Sequence, residues 1–75
     1  MRKYYTLNSD ELGEEAEADT LVGIYKEWQR YKQDDKEMHD HKTYYIRKHE
    51  VENNTDMVTD GKVYRRGNKV FFKAN

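Results

Sequence analysis

The residues best suited to chemistry with a partner are the cations and rings that alternate near the C-terminal end of the sequence. Lys62, Tyr64 and Arg66 occupy every second position of one short run, and Lys69, Phe71 and Lys73 do the same in the next, with Gly67-Asn68 between them. Alternate residues of a strand share a face, and Gly-Asn between two such runs signals a two-residue hairpin loop. That loop pairs Arg66 with Lys69, Arg65 with Val70, Tyr64 with Phe71, Val63 with Phe72 and Lys62 with Lys73. One face then holds Val63, Val70 and Phe72 with Arg65 at its edge. The other holds Lys62, Arg66, Lys69 and Lys73 around Tyr64 and Phe71. A slip of one residue would mix the two sets, so the pattern specifies its own register. Cations that meet phosphates, beside rings that stack on bases, are the chemistry of single-stranded nucleic-acid binding. The plainer readings are a solvated strand pair whose lysines protect an edge from aggregation, or cations drawn to the protein's own acidic segment.

That acidic segment is Asp10 to Asp19, where Asp10, Glu11, Glu14, Glu15, Glu17 and Asp19 stand without a base. The last fifteen residues carry five bases and no acid, so a net charge of −1 conceals two blocks of opposite sign. Acids ahead of a helix complement the positive end of its dipole and need no partner to explain them. Their functional alternative is a surface that mimics a phosphate run and occupies a basic groove on another protein, with association quickened by charge.

For metal or catalytic chemistry the sequence offers less. His39-Asp40-His41, with His49 one strand further on, is the only cluster with ligating side chains, and no zinc spacing surrounds it. We read it as solvated loop and expect no metal and no cofactor. There is no cysteine, Ser9 stands alone, and Gly61 and Gly67 fall at turn positions rather than in a phosphate-binding loop. A chain of 75 residues offers little volume for a pocket that would split the pKa values of a carboxylate pair. The expectation is a protein that is not an enzyme and takes no small-molecule substrate.

Several elements must hold these residues. From Thr20 to about Glu37, Leu21, Ile24, Tyr25, Trp28 and Tyr31 fall within an arc of roughly 120° at helical spacing, with Lys26, Glu27 and Arg30 away from it. This is one amphipathic helix, with Trp28 at the centre of its apolar arc as core anchor. Upstream, Asn8 to Glu11 matches a capping box between Leu7 and Leu12, which predicts a short capped turn before the main helix. Strands are expected at about 2–7, 43–51, 62–66 and 69–73, and a polar loop over Glu52 to Gly61. Tyr4-Tyr5, Tyr44-Tyr45 and Phe71-Phe72 each put adjacent rings on a strand, one for each face.

The reading is a single α+β domain over 1–75, ordered β-α-β-β-β, with the helix on one face of a mainly antiparallel sheet. At this size the net stability is thin, roughly 3–5 kcal/mol. Charged residues make up 39% and mean hydropathy is −1.36, yet ten aromatics favour a fold. Absent cysteine fits a reducing cytoplasm, and no apolar run is long enough to cross a bilayer. The expectation is thus a cytoplasmic interaction protein of adaptor or inhibitor type, in the style of a phage or mobile-element accessory protein. It would meet a protein partner through charge-segregated surfaces, or close its uncovered face against a second copy. Nucleic-acid binding by the hairpin ranks second, because net charge is slightly negative and acids nearby would repel phosphates.

Overall fold

In the computed structural model, which describes residues 1–39 and 42–75, the chain builds one helix packed on one face of a five-stranded antiparallel sheet. The strands are β1 (Arg2–Ser9), β2 (Gly13–Ala18), β3 (Tyr44–Glu52), β4 (Thr55–Arg66) and β5 (Lys69–Ala74), and the helix α1 (Leu21–Glu37) follows β2. Across the sheet the order is β2-β1-β3-β4-β5. The α+β class is as the sequence implies, but the acidic segment supplies an additional strand where a capped turn was expected.

That difference has a local cause. Asn8 does not cap a helix; β1 runs on to Ser9, whose hydroxyl accepts a hydrogen bond from the Leu12 amide at 3.1 Å. Gly13 then takes a positive φ of 73° and turns the chain back against β1, Ser9 facing Gly13 across a three-residue loop. Glu and Ala have low strand propensity, so the composition of β2 argues for a helix. Pairing with β1 overrides it: Ala16 faces Leu7 and Ala18 faces Tyr5, and both alanines pack on the core. A break in register between Leu7 and Asn8 leaves Glu15 as the extra residue of a bulge.

Thr20 caps α1 by accepting from the Gly23 amide at 3.0 Å. The helix lays its apolar stripe on the sheet, where Ile24, Tyr5, Leu7, Ile46 and Val63 form the fully buried core. Trp28 is half-buried against that cluster, and Ile24 is the helix residue with 0% exposure. The centre of the buried stripe therefore lies one turn before the indole.

The stretch read as a polar loop is strand as well. Asn53 and Asn54, with φ of 51° and 65°, form the two-residue turn between β3 and β4, the pair of left-handed residues a type I′ hairpin requires. The twelve residues of β4 then serve two partners in succession. They pair with β3 up to Ile46–Gly61 and with β5 from Gly61–Ala74 onward. Gly61 sits in both ladders, and a Cβ there would lie 2.3 Å from the Lys73 carbonyl oxygen. The absent side chain is what lets β5 approach at the point where β4 leaves β3.

Candidate functional site on the uncovered sheet face

Strand alternation divides each aromatic pair between the two faces. Tyr5, Tyr44 and Phe72 pack toward the helix, while Tyr4, Tyr45 and Phe71 lie on the other face with Tyr64. No element of the described residues covers that second face. Its two halves differ sharply in how their charges are compensated.

On β4 and β5 the observed pairing is Lys62–Lys73, Val63–Phe72, Tyr64–Phe71, Arg65–Val70 and Arg66–Lys69, the register that the Gly67-Asn68 loop demands. Gly67 takes a φ of 62° in that loop. Tyr64 and Phe71 stack across the strands with ring centroids 5.4 Å apart and planes 24° from parallel, and they remain 45% and 38% exposed. Lys62, Arg66, Lys69 and Lys73 are all exposed around them. These four enter no ion pair among the described residues.

On β1 and β3 the same face is closed upon itself. Tyr4 stacks on the His49 ring at 4.4 Å and 4°, with the Arg2 guanidinium 4.5 Å from the Tyr4 centroid. His49 Nδ1 lies 3.1 Å from Asp56 Oδ2, and Nε2 lies 3.1 Å from Thr6 Oγ1, which also accepts from Asn8 Nδ2 at 3.0 Å. With the carboxylate accepting from Nδ1–H, Nε2 accepts the Thr6 proton and the chain of donors is consistent. Its order is that of a nucleophile, a base and an orienting carboxylate. Thr6 is 1% exposed, however, so no substrate reaches its oxygen, and the network instead fixes the His49 ring. Beside it Arg47 grips Asp60 through two bonds, of 2.7 and 3.3 Å. That contact raises the guanidinium pKa and holds the Asp60 carboxyl below its ordinary 3.8.

The acidic residues occupy the far edge. Glu14, Glu15 and Glu17 belong to β2, Asp10 and Glu11 to the turn before it, and Asp19 to the link into α1. None lies in the first turn of the helix, and of the six only Asp19, next to the N-cap Thr20, stands beside the positive end of the α1 dipole. Nearby cations account for the acids in part. Arg2 bridges Glu17 at 3.2 Å and Asp19 at 3.8 Å, and Lys42 meets the largely buried Glu15 at 3.5 Å. β2 and β5 are the opposite edges of the sheet, four strand spacings or about 19 Å apart. The acidic segment does not fold onto the basic hairpin.

Of the histidine cluster, Asp40 and His41 lie outside the described residues. His49 is committed to Thr6 and Asp56, and among the described residues no three His, Cys, Asp or Glu side chains gather as a metal site would need. No described helix is long and apolar enough to cross a membrane. No family model matches the chain, and comparison with curated proteins and with solved structures gives no match.

The sequence reading missed two features of this face. The network through Thr6, Asn8 and His49 joins residues 43 apart, and only the β1–β3 pairing brings them together. The opposition of the charged edges depends on strand order, which local patterns do not encode.

Proposed function

We propose that the protein is a non-enzymatic binding module whose β4–β5 face takes single-stranded nucleic acid. The observation that carries this is four uncompensated cations around a stacked, exposed Tyr64–Phe71 pair on an open sheet. Phosphates would find cations that no acid among the described residues neutralises, and every base has a face to lay against a ring. The slightly negative net charge of −1 and repulsion by nearby acids would disfavour phosphates on this face. About 19 Å separates the two edges, more than twice the screening length of roughly 8 Å at physiological salt, so that repulsion is weak.

The test is affinity for single-stranded oligonucleotides in wild type, Tyr64→Ala and Phe71→Ala. Each substitution should weaken binding by roughly five- to a hundredfold, the range for losing one base–ring stack. Unchanged affinity in both variants would refute the reading. A second reading, adaptor or inhibitor of a protein partner, has its support at the other edge, where β2 has a free side and Glu14 is exposed. Such a partner would present a basic groove, and Glu14→Gln with Glu17→Gln would weaken it.

A further inference from the structure

The β3–β4 ladder ends at Ile46–Gly61, while β1 continues along β3 to Tyr44 and β5 continues along β4 to Arg66. The sheet therefore forks. In the fork lies a pocket of about 380 Å³ lined by Trp28, Lys32, Lys42, Tyr44, Tyr45 and Lys62 among others. Lys62 and Tyr45 belong to the uncovered face, Trp28 and Tyr44 to the helix side, so the pocket is a slot that opens from the proposed nucleic-acid face toward α1.

Its charge is specific. Three lysines line it from three different elements: Lys32 from α1, Lys42 from the link into β3, and Lys62 from β4. The charge of Lys42 is offset by Glu15, which it meets at 3.5 Å with both side chains largely buried. Lys32 and Lys62 form no ion pair among the described residues. The Lys32 ammonium sits 4.2 Å from the centroid of the Trp28 ring, which holds it at the slot wall. Two uncompensated positive charges remain, and a phosphate monoester carries about 1.5 to 2 negative charges at neutral pH. An internal phosphodiester carries only one, and a strand's interior has no free end to enter a slot.

We propose that this fork binds a phosphate monoester, the terminal phosphate of the strand that crosses the β4–β5 face. Lys32 and Lys62 hold its oxygens, and the Tyr45 side of the slot receives the terminal nucleotide. The strand as source of the phosphate rests on the function proposed above; the slot itself does not, since a free nucleotide presents the same group. Two arms of one experiment separate them.

In the first arm, anisotropy compares oligonucleotides bearing a 5′-phosphate, a 3′-phosphate or hydroxyls at both ends. One phosphorylated end should bind roughly tenfold more tightly than hydroxyl, about the value of one charge-assisted hydrogen bond. Lys32→Ala, at an exposed position beside Trp28, should erase that difference, with the thermal melt checking that the fold is retained. In the second arm, a nucleoside monophosphate is titrated while the fluorescence of Trp28, the sole tryptophan, is followed. Saturable change, lost in Lys32→Ala, is the expected result. If oligonucleotides bind equally whatever their ends, or if the preference survives Lys32→Ala, the strand-end assignment is overturned. If no oligonucleotide binds at all, the β4–β5 reading fails and the second arm alone decides. There a saturable, Lys32-dependent response upholds the slot with free nucleotide as its ligand, and a flat trace at millimolar nucleotide overturns it.

Discussion

The two edges of this sheet carry opposite charge and treat it in opposite ways. At the β2 edge Arg2 and Lys42 reach back to Glu17, Asp19 and Glu15, so part of the acidic charge is neutralised within the fold. At the β5 edge Lys62, Arg66, Lys69 and Lys73 surround two rings and have no acidic partner among the described residues. Charges of one sign gathered without compensation repel one another and add nothing to folding. The contrast supports the proposal that the basic half serves something outside the protein, while Glu15, Glu17 and Asp19 of the acidic half help to fasten β2 and the entry to α1.

Both edges hang on one small core, so the largest effect should come from breaking it. Ile24→Ala removes the fully buried helix residue and should cost about 3–4 kcal/mol. That approaches the whole stability of roughly 3–5 kcal/mol expected at this size, and thermal unfolding followed by circular dichroism should show little or no folded protein at room temperature. Trp28→Ala, at a half-buried position, should cost less than Ile24→Ala, and the opposite ranking would move the core's centre back to the indole.

The next effect should separate the halves. Gly61→Ala puts a methyl against the Lys73 carbonyl and the Phe72 ring, and should cost about 2–3 kcal/mol as an overpacked contact. Hydrogen exchange should quicken in β5 before it does in β1 and β2; uniform quickening would mean that the hairpin is not a separable half. Smaller again is Thr6→Val, which takes the shared hydroxyl from His49 and Asn8 and should cost about 1–2 kcal/mol, read from a denaturant midpoint.

The smallest effect concerns pH. The folded-state pKa of Asp60 is lowered, chiefly by its hydrogen bond to Arg47, so the pair's contribution is complete above the unfolded value of 3.8 and is lost as pH falls through the lower folded value. Both side chains are more than a third exposed, which limits the contribution to under about 1 kcal/mol. The stability gap between wild type and Arg47→Met should therefore be present at neutral pH and close in strong acid. A gap that persisted there would reflect packing of the Arg47 stem, not its charge.

What the sequence made legible follows a physical rule. The Leu21 to Tyr31 stripe and the Lys62 to Lys73 alternation are local periodicities with a strong loop or cap beside them, and the structure has both elements, with the hairpin in the expected register. β2 was hidden because Glu-Glu-Ala-Glu-Ala is a helix-favouring composition, though Ala16 and Ala18 at alternate positions already carried a strand's period. The first part of β4 was hidden because its residues are largely polar and exposed, with only the Asn53-Asn54 turn to announce a hairpin. The candidate face was legible on one hairpin, where four cations and two rings are adjacent in sequence. The fork was not, since Trp28, Lys42 and Lys62 meet only through the tertiary fold.

The most direct measurement is fluorescence anisotropy of a labelled single-stranded oligonucleotide, at low and at physiological salt, against three proteins. These are wild type, a basic-edge variant with Lys62→Ala, Arg66→Ala and Lys69→Ala, and an acidic-edge variant with Glu14→Gln and Glu17→Gln. The account predicts saturable binding by wild type that weakens as salt rises, loss of that binding in the basic-edge variant, and no weakening in the acidic-edge variant. Absence of binding by wild type at low salt, or equal affinity in wild type and the basic-edge variant, would contradict it.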